Sequence, residues 1–219
     1  MFPVSDDDSQ RRTLPVVTYI LIIINVVFFL VELSAGDQFI QKWAFIPARF
    51  SADPVGNSVT IFTAMFMHGG WLHLFSNMLF LWIFGDNVED RFGHVQFLIF
   101  YLLVGVAATF AQFALSPEST IPNVGASGAI AGVLGAYILL FPQTRVNVLL
   151  GRQIVTMPAL VVLGLWIVLQ LFSGVGSIAH TDETANVGGV AYMAHVGGFF
   201  AGLILTFLFR GTQSSQTRV

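Results

Sequence analysis

The residues of this chain whose types and spacing could carry out chemistry are one serine, three histidines and one asparagine. Ser127 lies in GASGAIAGVLGAY, a stretch that is otherwise small and apolar, and His195 lies in AYMAHVGGFFAG. A serine becomes a nucleophile for acyl transfer when a histidine nitrogen lies within about 3 Å of its hydroxyl and takes its proton. Ser127 and His195 could therefore form such a pair, if the fold brings their segments together.

The segment HGGWLHLFSN contains the other three polar residues. His73 and Asn77 are four residues apart and share one face of a helix, whereas His68 precedes them near the helix entrance. Acyl transfer needs hydrogen-bond donors for the oxyanion, and His73, Asn77 and the N–H of Ser127 at the start of its helix could supply them. Alternatively, His and Asn make structural hydrogen bonds between membrane helices, and Ser127 is a packing or N-capping residue.

The composition indicates what must position these residues. Of the 219 residues, 55% are hydrophobic and 10% are charged, and the mean hydropathy is +0.79. Soluble domains are about 25% charged, so the sequence predicts a polytopic protein of the lipid bilayer. The net charge of −3 gives no basic surface for nucleic acid, and the absence of cysteine excludes disulfides and thiolate ligands. We expect no metal and no cofactor.

Apolar runs predict an all-α bundle of six transmembrane helices. A span needs about 20 mostly apolar residues, and the six candidate runs are 15–33, 71–84, 95–115, 126–141, 154–172 and 190–209. Residues 15–209 then form the membrane domain, between cytoplasmic tails at 1–14 and 210–219. The fourth run is only 16 residues long, so Ser127 should lie below the outer surface of the membrane. The Gly-rich connection 174–189 has no regular pattern and is expected to be mobile.

The basic residues predict the orientation of the bundle. With the N-terminus inside, the outer side holds only Lys42 and Arg49, and the inner side holds Arg11, Arg12, Arg91, Arg145, Arg152, Arg210 and Arg218. Cytoplasmic loops carry the excess of Lys and Arg. Both termini are therefore expected to face the cytoplasm.

Glycines could bring Ser127 and His195 into contact. Gly128, Gly132 and Gly135 form one face of the fourth span, and Gly198 and Gly202 form a GxxxG face on the sixth. Such faces let helix backbones approach closely. Because the interiors of spans two, four and six contain no carboxylate, the sequence predicts a Ser–His dyad whose ring is held by packing and backbone.

These motifs in combination resemble the rhomboid family of intramembrane serine proteases, in its simple six-span prokaryotic form. The similarity rests on GASG at Ser127, H-x3-N at His73 and Asn77, and AHxxG at His195, and it extends over residues 68–202 and the first span. It implies a nucleophile at Ser127, a general base at His195 and an oxyanion hole of His73, Asn77 and the Ser127 N–H. It also implies that His68, Gly125 and Gly128 line the site and that Glu89, in GDNVEDRFG, makes structural hydrogen bonds.

Two departures from the family pattern concern the site. Some members carry a Trp-Arg pair in the first outer loop, where this chain has GNSVTIFTAMF. Some also have a tyrosine, one turn after the serine, that supports the catalytic ring, and here that position is Ala131. Support for the ring of His195 is therefore expected from elsewhere.

The function expected from this pattern is a serine endopeptidase of the bacterial plasma membrane that cleaves single-span membrane proteins near the outer face. Two alternatives remain open. One is a non-catalytic rhomboid-like protein that binds client transmembrane helices. The other is a proton or metal transporter that uses His68, His73 and His195, for which the supply of carboxylate and thiolate ligands is poor.

Overall fold

The computed structural model describes residues 2–9, 11–179 and 191–209. Within them the chain is mostly helical. The α-helices are α1 Val16–Ala35, α2 Asp37–Trp43, α3 Pro47–Ala52, α4 Thr60–Thr63, α5 Trp71–Phe92, α6 His94–Leu115, α7 Ser127–Leu140, α8 Ala159–Ala179 and α9 Tyr192–Phe209, and a short 3-10 helix spans Ala64–Phe66. The connection between α1 and α5 therefore contains four short helical segments, namely α2 to α4 and the 3-10 helix.

Helix α7 lies at the centre of the bundle. Every residue from Gly128 to Tyr137 is buried, and the helix contacts α5, α6, α8 and α9. A helix that is apolar on all faces is stable only when neighbours surround it. The first residue of this central helix is Ser127, so the fold places the serine inside the bundle rather than on its lipid-facing surface.

Within the described part of the chain, three helices are long and apolar enough to cross a membrane, namely Val16–Ala35, His94–Leu115 and Tyr192–Phe209. The 14 residues of α7 extend only about 21 Å, less than the roughly 30 Å of a bilayer core. Helix α5 continues past the predicted end at residue 84 into the charged residues Asp86, Glu89 and Asp90. The count of six spans therefore stays a prediction.

The described chain is mostly helical as predicted but not all-α, because an antiparallel three-stranded sheet accompanies the helices. Its strands are β1 Phe2–Asp6, β2 Arg145–Leu150 and β3 Gln153–Pro158, in the order β1-β2-β3. β2 and β3 form a hairpin whose two-residue turn has Gly151 at φ +62°, a conformation that favours glycine. The sheet contacts both α5 and α8.

Two predicted boundaries are corrected by this architecture. The fifth span, predicted at 154–172, begins instead at Ala159, because residues 154–158 belong to β3. The connection predicted to be irregular at 174–189 is helical as far as Ala179, and residues 180–190 lie outside the described part of the chain. Residue 190, the predicted start of the sixth span, is among them.

Glu89 fixes the beginning of α1. Its carboxylate accepts hydrogen bonds from the N–H groups of Val17 and Thr18, at 2.9 and 2.7 Å, and from the Thr18 hydroxyl at 2.7 Å. The oxygen that accepts from Val17, Oε1, also lies 2.6 Å from Nδ1 of His94. The first N–H groups of a helix lack helical partners, and Pro15 at the N-cap position provides no side-chain cap. The structural role expected for Glu89 is therefore confirmed.

Asp6 anchors the N-terminal strand to the helices. Its carboxylate accepts hydrogen bonds from the Tyr137 hydroxyl of α7 and from Nδ2 of Asn87 in α5, the latter at 2.8 Å. Burial, together with the neighbouring carboxylates of Asp86 and Asp8, raises the pKa of Asp6 to about 7. Asp6 therefore binds its proton more tightly in the folded protein than an ordinary aspartate does.

We expect the protein to lose stability as the pH rises through about 7 because of Asp6. The pKa of Asp6 in the folded protein exceeds that of an unfolded aspartate, about 3.9, so the folded state binds the proton more tightly. The resulting contribution to the free energy of unfolding is lost as the proton dissociates. Asp6→Asn keeps an oxygen acceptor for Tyr137 and does not titrate. Its melting temperature in detergent should therefore fall less between pH 5.5 and pH 8 than that of the wild type.

The exposed Asp7 next to it provides the matched control, and Asp7→Asn should leave the wild-type pH dependence unchanged. An equal fall in melting temperature for Asp6→Asn and the wild type would contradict the assignment.

Candidate active site

A cavity of about 890 Å³ lies among α1, α5, α7, α8 and α9. Four of the site residues predicted from the sequence line it, and α8 contributes two further residues. The polar and aromatic residues at its wall include His73, Asn77, Ser127, Trp166, Gln170 and His195. The fold thus brings the predicted nucleophile, base and oxyanion donors to one space.

Ser127 is the first residue of α7, and Ala126 occupies the N-cap position without a side-chain cap. The alternative of an N-capping serine therefore does not hold. The preceding Gly125 has φ +132°, and its N–H donates to the Ala64 carbonyl at 2.9 Å. A Cβ at Gly125 would lie 2.9 Å from the His73 ring, so glycine provides both the conformation and the space that the loop before Ser127 requires.

The His73 ring presents a donor beside Ser127. Its Nδ1 accepts a hydrogen bond from the Gly69 N–H at 3.3 Å, so the ring proton of the neutral imidazole is on Nε2. Nε2 lies 2.9 Å from the Cβ position of Gly125, which is itself 3.4 Å from the Ser127 Oγ. Nε2 of His73 and Oγ of Ser127 therefore lie on either side of the same point, next to Gly125.

Asn77 provides a second donor, one turn further along α5. Its side chain is buried, and Nδ2 has no hydrogen-bond partner among the described residues. A buried donor without a partner costs free energy, and this N–H is available to an acceptor that enters the cavity. Together with His73, Asn77 has the free donors that an oxyanion hole requires.

The ring of His195 is held by two side chains of α8. Nδ1 lies 2.7 Å from Oε1 of Gln170, and the indole of Trp166 packs against the ring at 5.9 Å between centroids and 35° between planes. An amide oxygen only accepts hydrogen bonds, so Nδ1 carries the proton and Nε2 has the free lone pair. His195 is thus in the tautomer that a general base needs.

Gln170 and Trp166 are absent from the set of site residues predicted from the sequence, which attributes the support of the ring to packing and backbone. A signal was present, because Gln170 is a polar residue within an apolar run, and such residues are functional candidates by default. Trp166 lies four residues earlier and shares its helix face.

Ser127 and His195 line the same cavity but are not hydrogen-bonded to each other. Among the described residues, the ring of His195 bonds to Gln170 only, and no hydrogen bond links it to the Ser127 hydroxyl. In the absence of substrate, catalytic hydrogen bonds are often long and tighten only in the complex. The two residues must therefore come within hydrogen-bond distance before a proton can pass between them.

The glycine faces of α7 and α9 are in backbone contact. A Cβ at Gly198 or at Gly202 would lie 2.1 Å from the carbonyl oxygen of Gly128 or Gly132, respectively, and a Cβ at Gly135 would lie 2.2 Å from the Phe199 carbonyl. Gly128 and Gly132 also allow α6 to pack closely, because Cβ atoms at these two positions would lie 2.6 Å from Ala108 and Val104, respectively. The glycines of α7 thus let two helices approach rather than one.

His68 lies behind His73 rather than at the cavity wall. The side chain is 1% exposed, both ring nitrogens lack partners among the described residues, and the ring centroid lies 5.1 Å from that of His73. Its backbone N–H donates to Oε2 of Glu32 at 3.0 Å. Within the described chain, the metal-ligating groups that converge are Asp6, Asp8 and Asp86, and the histidines do not form such a group.

Comparison with known proteins identifies the family. The family model described as the Rhomboid domain matches residues 56–212. The chain belongs to the rhomboid family. The match includes the segments of this rhomboid that carry His73, Asn77, Ser127 and His195, and the resemblance inferred from the motifs is confirmed. Membership and the apolar helices make it an integral membrane protein.

Individual relatives are similar over most of this rhomboid. The chain is 32% identical over 210 residues to Rhomboid protease GluP of Bacillus subtilis, covering 90% of this chain and 38% of the relative. It is 26% identical over 200 residues to Putative rhomboid protease YdcA of the same organism, covering 90% and 89%. Rhomboid-like protein 11, chloroplastic, of Arabidopsis thaliana is 30% identical over 150 residues, covering 67% and 50%. The chain thus spans half or less of the length of two of these relatives.

Proposed function

We propose that this rhomboid is an intramembrane serine endopeptidase in which Ser127 is the nucleophile and His195 is the general base. The observation that carries the proposal is the convergence on one cavity of a serine at a helix start, an imidazole with Nδ1 engaged and two donors with free N–H groups. Relatives with the name rhomboid protease support the same chemistry.

The groups suggest a two-step acyl transfer. His195 Nε2 takes the Ser127 hydroxyl proton as Oγ attacks the scissile carbonyl, and the oxyanion accepts hydrogen bonds from His73 Nε2–H, Asn77 Nδ2–H and the Ser127 N–H. The proton on His195 then passes to the leaving amine, and the peptide bond breaks to give an acyl-enzyme. Water attacks the ester with His195 again as base, which releases the acid and restores the Ser127 hydroxyl.

The proposed substrates are proteins that cross the membrane once, cut near the outer face. A peptide carbonyl in a transmembrane helix is hydrogen-bonded within the helix, so the scissile segment must unwind before it can reach Ser127. Segments with poor helix formers and small residues before the cut, as the family resemblance implies, meet this requirement best.

The proposed orientation has six spans and both termini, 1–14 and 210–219, on the cytoplasmic side of a bacterial plasma membrane. Support comes from the pairing of β1 with β2, which brings the N-terminal segment to the connection between α7 and α8. Both segments are on the inner side in the positive-inside assignment, and they contribute Arg11 and Arg145 to it. A fusion reporter of membrane sidedness at each terminus tests this assignment.

Two other functions are less well supported. A non-catalytic binder of client helices requires neither Ser127 nor His195, whereas both line the cavity here. A proton or metal transporter requires a continuous set of ligands, and among the described residues the histidines do not converge into one. A fluorophosphonate probe separates the three functions, since only the protease is labelled covalently at Ser127 in a manner that depends on His195.

Removal of the Asn77 side chain is expected to reduce turnover more than substrate binding. An oxyanion donor acts mainly in the transition state, and loss of one costs about 10²–10³-fold in kcat in other enzymes. The loss here should lie at or below the lower end, because His73 and the Ser127 N–H remain. Steady-state cleavage by Asn77→Ala gives kcat and KM separately.

Ser76→Ala is the matched control on the same helix, because the Ser76 hydroxyl donates to the Leu72 carbonyl of its own helix. An Asn77→Ala protein with unchanged kcat and a raised KM would move Asn77 from the oxyanion hole to substrate binding.

A further inference from the structure

Gln170 is the polar side chain of α8 at the cavity wall, and it contacts the proposed base directly. Its Oε1 lies 2.7 Å from Nδ1 of His195. The segment around it, Ala159–Val175, is apolar apart from Gln170 and Ser173. An amide in such a helix has a desolvation cost that is offset only if it makes a hydrogen bond, and the bond it makes is to His195.

We propose that Gln170 is a positioning residue that fixes the tautomer and orientation of His195, an inference that rests on the proposed protease function. The two neutral tautomers of imidazole are similar in energy, and the hydrogen bond of one nitrogen decides which of them is populated. With the proton on Nδ1 towards the amide oxygen, Nε2 keeps its lone pair for the Ser127 hydroxyl. With the proton on Nε2, His195 could not accept a proton from Ser127.

The geometry restrains the ring in two directions. Gln170 contacts the edge of the His195 ring at Nδ1. Trp166, four residues earlier on the same helix, packs against the ring with 5.9 Å between the ring centroids. Ala131 occupies the position at which some relatives have the supporting tyrosine, and it is fully buried. Support from α8 thus replaces support from α7.

Gln170 performs the orienting task without a charge. In Ser-His-Asp triads the residue on Nδ1 is a carboxylate, which also stabilises the imidazolium. The titratable groups that share the cavity with His195 are His73 from α5 and Glu32 from α1, and Tyr192 on its own helix contacts its ring at 6.5 Å. In the described chain none of them hydrogen-bonds to the ring of His195. A neutral acceptor should therefore keep the base unprotonated to a lower pH than a carboxylate would.

Replacement of Gln170 distinguishes a role in positioning His195 from a role in helix packing. Gln170→Met keeps the length of the side chain and removes the acceptor, and the rate of fluorophosphonate labelling and kcat should fall by on the order of 100-fold with little change in KM. Gln170→Glu restores an acceptor, so it should recover most of the rate at high pH and move the acidic limb of the pH–rate profile to higher pH. The control Leu169→Met changes the adjacent, exposed position of α8 and should retain the wild-type rate.

A spectroscopic measurement tests the tautomer without any change at Gln170. In protein with ¹⁵N-labelled histidine and Ser127→Ala, NMR should report protonated Nδ1 and unprotonated Nε2 for His195 at neutral pH. The opposite tautomer, or wild-type labelling rates in a folded Gln170→Met protein, would overturn the inference while the protease function stands. A wild-type protein that the probe does not label at Ser127 would overturn both.

Discussion

Replacement of Ser127 or His195 by alanine is expected to abolish cleavage while the protein remains folded and inserted. Removal of the nucleophile or the base of a serine hydrolase costs about 10⁶-fold in kcat, because the remaining residues cannot form the acyl-enzyme. Both side chains line the cavity and are only partly buried, so their truncation should change the melting temperature little. The measurement is cleavage of a panel of tagged single-span proteins in proteoliposomes, with thermal melting as the folding control.

The double variant makes this test sharper. If Ser127 and His195 act as one unit, Ser127→Ala with His195→Ala should be no slower than either single variant, since each already removes the whole contribution. Additive losses would show that the two residues act independently, and substantial cleavage by either folded single variant would refute the mechanism.

The second large effect is expected from a single methyl group at Gly198. The Cβ of Gly198→Ala would lie 2.1 Å from the carbonyl oxygen of Gly128, so α9 must move away from α7 near its His195 end. A displacement of about 1 Å at a catalytic pair can cost on the order of 100-fold in rate. We therefore expect the labelling rate of Ser127 to fall by on the order of 100-fold. The loss of stability, measured by the melting temperature, should be too small to explain this loss of rate.

Two further glycine variants distinguish an effect on the distance between Ser127 and His195 from an effect on the stability of the fold. Gly202→Ala makes an equally close contact, with the carbonyl of Gly132, but lies one turn further from His195, so it should destabilise similarly and slow labelling less. Gly164→Ala on α8 places its methyl group where nothing lies within 4 Å, and it should behave as the wild type. If activity and stability fall in parallel across Gly198→Ala and Gly202→Ala, the glycines serve folding alone.

The features that could be predicted from the sequence are those encoded by local spacing. His73 and Asn77 share a face because they are four residues apart, and the short α7 with its glycines follows from GASGAIAGVLGAY and the proline that ends it. Family motifs added the roles of Ser127 and His195. These signals need no knowledge of how distant segments pack.

The features that could not be predicted depend on contacts between distant segments. Gln170 and His195 are 25 residues apart, and Asp6 and Tyr137 are 131 apart, so nothing in local spacing connects them. The sheet was missed for a different reason. Residues 154–158, IVTMP, run directly into the apolar segment that follows and so are predicted as the start of a span, because short apolar runs do not distinguish strand from helix by periodicity alone.

The carboxylate at the start of α1 has a consequence for the order in which the chain is assembled during synthesis. The N–H groups of Val17 and Thr18 cannot form their hydrogen bonds until Glu89, which lies 72 residues after Val17, has been synthesised. When α1 leaves the ribosome, these donors have only water or lipid headgroups as partners, and α1 can still tilt or slide along its axis. Once the end of α5 has been synthesised, Glu89 fixes the depth of α1 in the bilayer. A truncated chain that ends before Glu89 should accordingly leave the first helix accessible to interfacial labelling reagents from which the full chain protects it.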